Sequence, residues 1–203
     1  MPRSAQRNRL FRITLACVMI MSSVFTLAGL KNAKAEPTTA SLPASPNGLV
    51  INEVWDSQTV SAEYFELYNT SAVSIDLSTY VIYDHDGQNN LSVLDNPIIN
   101  AGQFRVIGPT QLHAPQIGLS GLLPTDFLGL KNTSPTDQVI DVVNYGNAPD
   151  PSWRYYDMFS AYFFDAGTQP TMITGGPKSI QRWPDGKDTD LGSDFQQIDK
   201  SPG

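Results

Sequence analysis

Four aspartates and two glycines share the ten-residue stretch DGKDTDLGSD at positions 185–194. A calcium ion takes six to eight oxygen ligands from carboxylates, carbonyls and water. Asp185, Asp188, Asp190 and Asp194 can supply several of these from one compact loop, which makes them candidate calcium ligands. The spacing departs from the EF-hand pattern, because no glutamate stands at the closing position. A mechanical reading stands beside the metal one. Pro184 fixes φ and Gly186 accepts a positive φ, so PDG sets a tight turn, and the later Asp and Ser side chains cap loop amides.

A second polar cluster, DHDGQNN, places His85 between Asp84 and Asp86. A catalytic zinc site takes three protein ligands, often with two histidines among them. The other histidine, His113 in QLHAPQ, has no acid close by in sequence. Asp-Gly followed by polar residues between apolar runs is a hairpin signal, and that reading is preferred over an exported metal-dependent hydrolase. Other chemistries drop out on motif grounds. The sequence contains no G-x-S-x-G elbow, no phosphate-binding P-loop and no H-E-x-x-H. Lys178, Ser179 and Arg182 in GPKSIQRW do not make a nucleophile–base pair. No catalytic residue is assigned.

The segment PSWRYYDMFSAYFFDAG (151–167) holds seven aromatics between turn-rich flanks. It is expected to be a long loop with one helical turn, folded over an open edge or end of a sheet structure and chiefly packing there. Its functional alternative is an aromatic platform. In that case Trp153, Tyr155, Tyr156 and Phe159 are the candidate contacts for a protein or a cell-surface glycan.

Several elements must position these residues. The chain opens with four arginines and no acid in MPRSAQRNRLFR, continues with the apolar run ITLACVMIMSSVFTLAGL, and reaches an A-x-A pattern at Ala33 and Ala35. That order predicts a cleaved secretory signal over 1–35, and hence a secreted, extracellular or envelope location. Cys17 lies inside the apolar run and reads as part of it. Removing 1–35 leaves no cysteine and seven bases against twenty acids, a formal charge of −13. Thiol catalysis and disulfides are then excluded, and a surface of that sign repels nucleic-acid backbones. No second apolar span follows, so the mature chain is expected to be soluble and not membrane-spanning.

Residues 36–47 are rich in Pro, Ser and Thr and read as a flexible leader. From 48 onward the pattern is short β-type runs: LVINEVW, EYFELYN, IDLSTYVIYD, FRVIG, DFLGL, QVIDVVNYG and SIQRW. Turn signals separate them, and no stretch keeps a helical period over any length. Such a rhythm predicts an all-β sandwich or barrel.

Three stretches in order carry a resemblance. They are VINEVWDSQTVSAEYFELYNTSAVSIDLSTYVIYD, then QVIDVVNYG, then GGPKSIQRWPDGKDTDLGSDF with its SPG ending. Together they resemble the lamin tail domain family in its bacterial secreted form, over about 48–203. The resemblance implies an immunoglobulin-like β-sandwich, an accessory binding or scaffolding module and no defined catalytic residues. It also implies structural roles for Glu63, Glu66, Asn69 and Asp141, with a strand carboxylate accepting turn amides or pairing with a base such as Arg182. Because PDGxDTD belongs to the family pattern, it favours the structural turn over calcium. The expected protein is therefore non-catalytic and without an obligatory cofactor, with a calcium-stabilised module as the alternative.

Overall fold

A computed structural model describes residues 45, 47–55, 63–85, 87–112, 126–146, 150–163 and 176–203. The predicted signal (1–35, with Cys17), most of the leader, Asp86, His113 and positions 164–167 of the aromatic segment lie outside the described residues. Among the described residues there are eleven strands: β1 (Leu49–Trp55), β2 (Tyr64–Asn69), β3 (Ile75–Asp76), β4 (Tyr80–Tyr83), β5 (Gln88–Asn90), β6 (Ile98–Ile99), β7 (Phe104–Ile107), β8 (Asp126–Asn132), β9 (Gln138–Tyr145), β10 (Lys178–Arg182) and β11 (Phe195–Asp199). One helical turn, α1 (Tyr156–Phe159), falls in the aromatic segment.

The strands form a five-stranded sheet in the order β11-β10-β1-β2-β7, a four-stranded sheet β5-β4-β8-β9 and a small β3-β6 pair. All pairings are antiparallel. One apolar core unites the two larger sheets. Ile51, Val54, Phe65, Leu67, Ile107 and Ile180 come from the first, and Tyr80, Ile82, Leu128, Leu130 and Val143 from the second. The side-chain period of two puts these residues on the facing surfaces. The expected immunoglobulin-like β-sandwich is the observed architecture.

The run IDLSTYVIYD is not one strand. Asp76 accepts a hydrogen bond from the Ser78 amide at 2.9 Å and starts a 3₁₀ turn over Leu77–Thr79. A short aspartate side chain offers the backbone an alternative to the ladder, so β3 stops and β4 begins afresh. The Asn-rich half of DHDGQNN is likewise strand rather than turn. Gln88, Asn89 and Asn90 pair with Tyr83, Ile82 and Val81, which leaves positions 84–87 to reverse the chain. β11 was not expected at all. It is an edge strand whose Gln196 and Gln197 are exposed, so it carries little apolar signal.

The second sheet is buried on both faces. Val81, Tyr83, Phe127 and Val142 point away from the main core and meet Phe159, with Trp153, Tyr155, Met158, Tyr162 and Phe163 packed around them. The aromatic segment thus has its helical turn as expected, but it covers the outer face of β4, β8 and β9 rather than an edge or end of the sandwich. Edge-to-face and tilted ring pairs join it to the sheet, with Phe127 5.3 Å from Phe159 and Tyr83 4.9 Å from Tyr155 between centroids. Among the described residues, no helix is long and apolar enough to cross a membrane.

Candidate functional site

Arg182, at the end of β10, is 1% exposed and stands where the two sheets and the 185–194 loop converge. Its Nη2 donates to both oxygens of Asp141 at 2.8 and 2.9 Å, reaching β9 in the opposite sheet. Its Nε donates to the Ile51 carbonyl at 3.0 Å, and Nη1 donates to the Lys187 carbonyl at 2.7 Å. The guanidinium carbon also lies 4.5 Å from the centroid of Phe195. A planar fork of five donors suits this role, since it can serve a carboxylate and two carbonyls at once.

The register of β1 explains why such a rivet is needed. β10 pairs with β1 at Glu53 and Val54, and a bulge separates Ile51 from Glu53 in its pairing with β2. On the β10 side, Ile51 has no ladder partner. Arg182 takes its carbonyl, and Asp141 accepts from its amide at 2.7 Å. A buried strand therefore completes its hydrogen bonds through an ion pair from the facing sheet, which meets the need to satisfy buried backbone groups.

The 185–194 loop wraps this same guanidinium. Asp188 Oδ1 is 3.2 Å from Nη1 and Asp194 Oδ2 is 3.6 Å from it. Asp188 Oδ2 accepts from the Ser45 amide at 2.7 Å. Asp194 accepts from the Thr189 amide at 2.6 Å and from the Lys187 ammonium at 2.9 Å. Asp185 turns the other way and accepts from Asn52 and Gln181 at 3.2 and 2.9 Å. The loop starts as expected: the Lys187 amide donates to the Pro184 carbonyl at 3.0 Å, and Gly186 has φ +72°. A side chain at Gly186 would also meet the ring of Tyr68 at 2.8 Å.

The four candidate calcium ligands are thus placed in two groups, three around Arg182 and one on β1 and β10. The positive charge that the loop encircles is a guanidinium. Among the described residues, no group of three or more His, Cys, Asp or Glu side chains is arranged to hold a metal ion.

Electrostatics follow from this crowding. Burial opposes the charge on Arg182, but Asp141 and Asp188 outweigh it and raise its pKa above the ordinary value. Burial pushes the Asp141 carboxyl up, with Arg182 opposing. For Asp194, burial acts upward, yet the Thr189 amide and Lys187 hold it below the usual range. Asp190 is the frustrated member. It has φ +56°, and its Oδ2 is buried with no hydrogen-bond partner. Burial first, then Asp188 and Asp141, push its carboxyl up to about 6.

Replacing Asp190 by asparagine, which tolerates the left-handed backbone, has a signed outcome. The raised pKa means the ionised form is disfavoured in the folded state. That penalty is absent below the unfolded value near 4, grows as pH rises, and is complete above about 6. Asp190→Asn is expected to be more stable than wild type by about 1 kcal/mol at pH 8, after discounting for solvent screening, with no gap at pH 4. Urea unfolding at the two pH values checks it, and an equal difference at both would refute the assignment.

The other predicted residues sit apart. His85 Nδ1 is 3.0 Å from Asp126 Oδ2, at the start of β8, and burial pushes the Asp126 carboxyl up against the pull of His85. Asp84 is buried and accepts from the Gly87 amide, closing the hairpin. Of the aromatic candidates, Trp153, Tyr155 and Tyr156 are half-buried, while Phe159 is fully buried and has no surface to offer a partner in this arrangement. Of the carried-over residues, Asp141 is the strand carboxylate that pairs with Arg182, and Asn69 and Glu66 also join backbone and side chains across the strands. Asn69 donates to the Val73 and Ile99 carbonyls at 2.7 and 3.0 Å, and Glu66 accepts from Asn52 at 3.1 Å.

Sequence reasoning did not find Glu53, Tyr64 and Gln181, whose polar groups meet on the outer face of β1, β2 and β10. Tyr64 donates to Glu53 at 2.6 Å. A glutamate within LVINEVW is the signal that would have pointed there.

A search of curated proteins found no match. Residues 43–147, just over half the chain, match the lamin tail domain family. The match ends before β10 and the Arg182 loop, although Asp141, the partner of that arginine, lies inside it. With the sandwich and this coverage together, the chain belongs to the lamin tail domain family.

Proposed function

We propose that the chain is a non-catalytic module that binds or scaffolds at the cell surface or envelope. The observation that carries this reading is how its buried charges are used. Arg182, Asp141 and Asp194 spend their hydrogen bonds on joining strands and loop, so none of them faces a substrate. The predicted export signal supports the location, and the acidic surface argues against a nucleic-acid partner. Family membership gives a fold and not by itself a role.

The experiment is a turnover screen with p-nitrophenyl phosphate and plasmid DNA, with magnesium, manganese and zinc supplied in turn. The expected result is no turnover above the blank. Turnover that disappears in Asp84→Ala or His85→Ala overturns the reading in favour of an exported metal-dependent hydrolase.

A calcium-stabilised module is the second reading. It is favoured by Asp190 Oδ2, a buried oxygen without a hydrogen-bond partner, next to Asp188 Oδ1, which has only its ion pair with Arg182. A calcium ion at this loop has to compete with Arg182 and Lys187 for Asp188 and Asp194. Thermal unfolding in EDTA and in millimolar calcium separates the two. The Arg182-centred loop gives equal midpoints, whereas a filled site raises the midpoint by roughly 5–10 °C when calcium is about 100-fold above its dissociation constant.

A further inference from the structure

Residues 200–203, Lys-Ser-Pro-Gly, follow β11 as an exposed strap, yet three of the four are bound to the groups beneath them. The Lys200 ammonium stands 3.7 Å from the centroid of Trp55, and its amide donates to the Pro177 carbonyl at 3.0 Å. The Ser201 amide donates to Glu53 Oε1 at 3.2 Å, and its hydroxyl donates to Gln181 Oε1 at 3.3 Å. The Gly203 amide donates to Glu66 Oε2 at 2.7 Å. Pro202, which has no amide proton, falls between two residues whose protons point down.

The surface under the strap is unusual for the outer face of a sheet. Glu53 and Glu66 are cross-strand partners, and they are 0% and 2% exposed. Like charges placed directly opposite one another repel. Tyr64 donates to Glu53, and Asn52 donates to Glu66 and to Asp185, which supports the pair from the sides. Glu53 Oε2 is buried and has no hydrogen-bond partner. This row offers acceptors and an indole face. A segment that fits it must bring amide protons and a cation, and residues 200–203 bring both. Beyond the Lys200 amide the contacts are side chain to backbone, side chain to side chain and cation to ring. They are the contacts of peptide recognition rather than of a strand ladder.

We propose that Trp55, Glu53, Gln181 and Glu66 form a peptide-binding row for a lysine-led extended segment, held in cis by residues 200–203 and open to the same Lys-Ser-Pro-Gly segment in trans when the strap is lifted. The inference rests on the binding-module reading and gives it a site. Its failure leaves that reading intact, because the module reading is decided by turnover and this one by peptide binding.

The test uses the chain shortened by residues 200–203 and the peptide acetyl-Lys-Ser-Pro-Gly-amide, followed by amide chemical shifts. The shortened chain is expected to show saturable shifts at Trp55, Glu53, Gln181 and Glu66. The full chain should show none at the same concentration. Exchanging lysine for norleucine in the peptide should weaken binding roughly ten-fold, the range for loss of a desolvated cation over an indole. A folded shortened chain that ignores the peptide overturns the proposal, as does equal binding of the norleucine peptide. If the shortened chain does not fold, the full chain carrying Ser201→Pro and Gly203→Pro, which lacks both donated amides, takes its place with the same expectations. If that chain also fails to fold, the strap is an integral part of the fold and the proposal is wrong.

Discussion

Replacing Arg182 by alanine is expected to lower the stability of the folded chain by about 3–5 kcal/mol, the range for removing one partner of a buried ion pair. The loss comes less from the missing attraction than from what is stranded. Asp141 and Asp188 are 3% and 5% exposed in their side chains, so both lose their cation in a place that water hardly reaches, whereas Asp194 keeps Lys187 and Thr189. The Ile51 and Lys187 carbonyls lose their donors as well. Urea unfolding measures the effect, and a loss under about 1 kcal/mol would show that the guanidinium is not the rivet between the sheets. Arg182→Lys should recover only part of the loss, because one ammonium cannot serve Asp141 bidentately and also reach Ile51 and Lys187. Removing Asp141 together with Arg182 should cost less than the two single losses added, since both single changes break the same bidentate pair and the loss is counted twice in the sum.

The second large effect is expected at Phe159, where Phe159→Ala should cost about 3–5 kcal/mol. The ring is fully buried against Phe127 and Tyr83 and sits over Gly129 of β8. A Cβ at Gly129 would lie 2.5 Å from Phe159 Cε1 and Cζ, a distance that forces the ring or the strand to move. Gly129→Ala should therefore destabilise the wild-type chain and be much milder in the Phe159→Ala background, where the space is free. Thermal unfolding of the four combinations tests this. If the aromatic segment were a detachable platform, Phe159→Ala would leave the midpoint unchanged and the glycine change would act alone.

The sequence by itself determined the strand rhythm. β1 has the expected bounds, and β2, β7, β8, β9 and β10 differ from expectation by a residue or two at their ends. These runs are rich in β-branched and aromatic residues and are bounded by turn formers, so the signal is local and strong. The PDG turn was legible for the same reason, with Gly186 taking the positive φ that the turn requires. The second buried face was not read from the sequence, although its trace is there. DFLGL and VIDVV are near-continuous apolar runs, which is the mark of a strand covered on both sides rather than one with a wet face.

What the tertiary structure decided was which groups meet. Arg182 and Asp141 are 41 positions apart, and Ile51 and Arg182 are 131 apart. The resemblance named Arg182 as a base for a strand carboxylate such as Asp141, but no local pattern states that the two will share the backbone of a third strand. The spacing of aspartates in DGKDTDLGSD suggested a cation, and in the folded chain Asp188 and Asp194 lie against the Arg182 guanidinium of the preceding strand. Glu53 read as an ordinary strand residue, and Glu66 had a structural role only through the resemblance, because the strap that covers both arrives more than 130 positions later. Local propensity fixes elements through neighbouring residues, whereas partnerships between charges depend on the packing of the sheets, and that exists only in the folded chain.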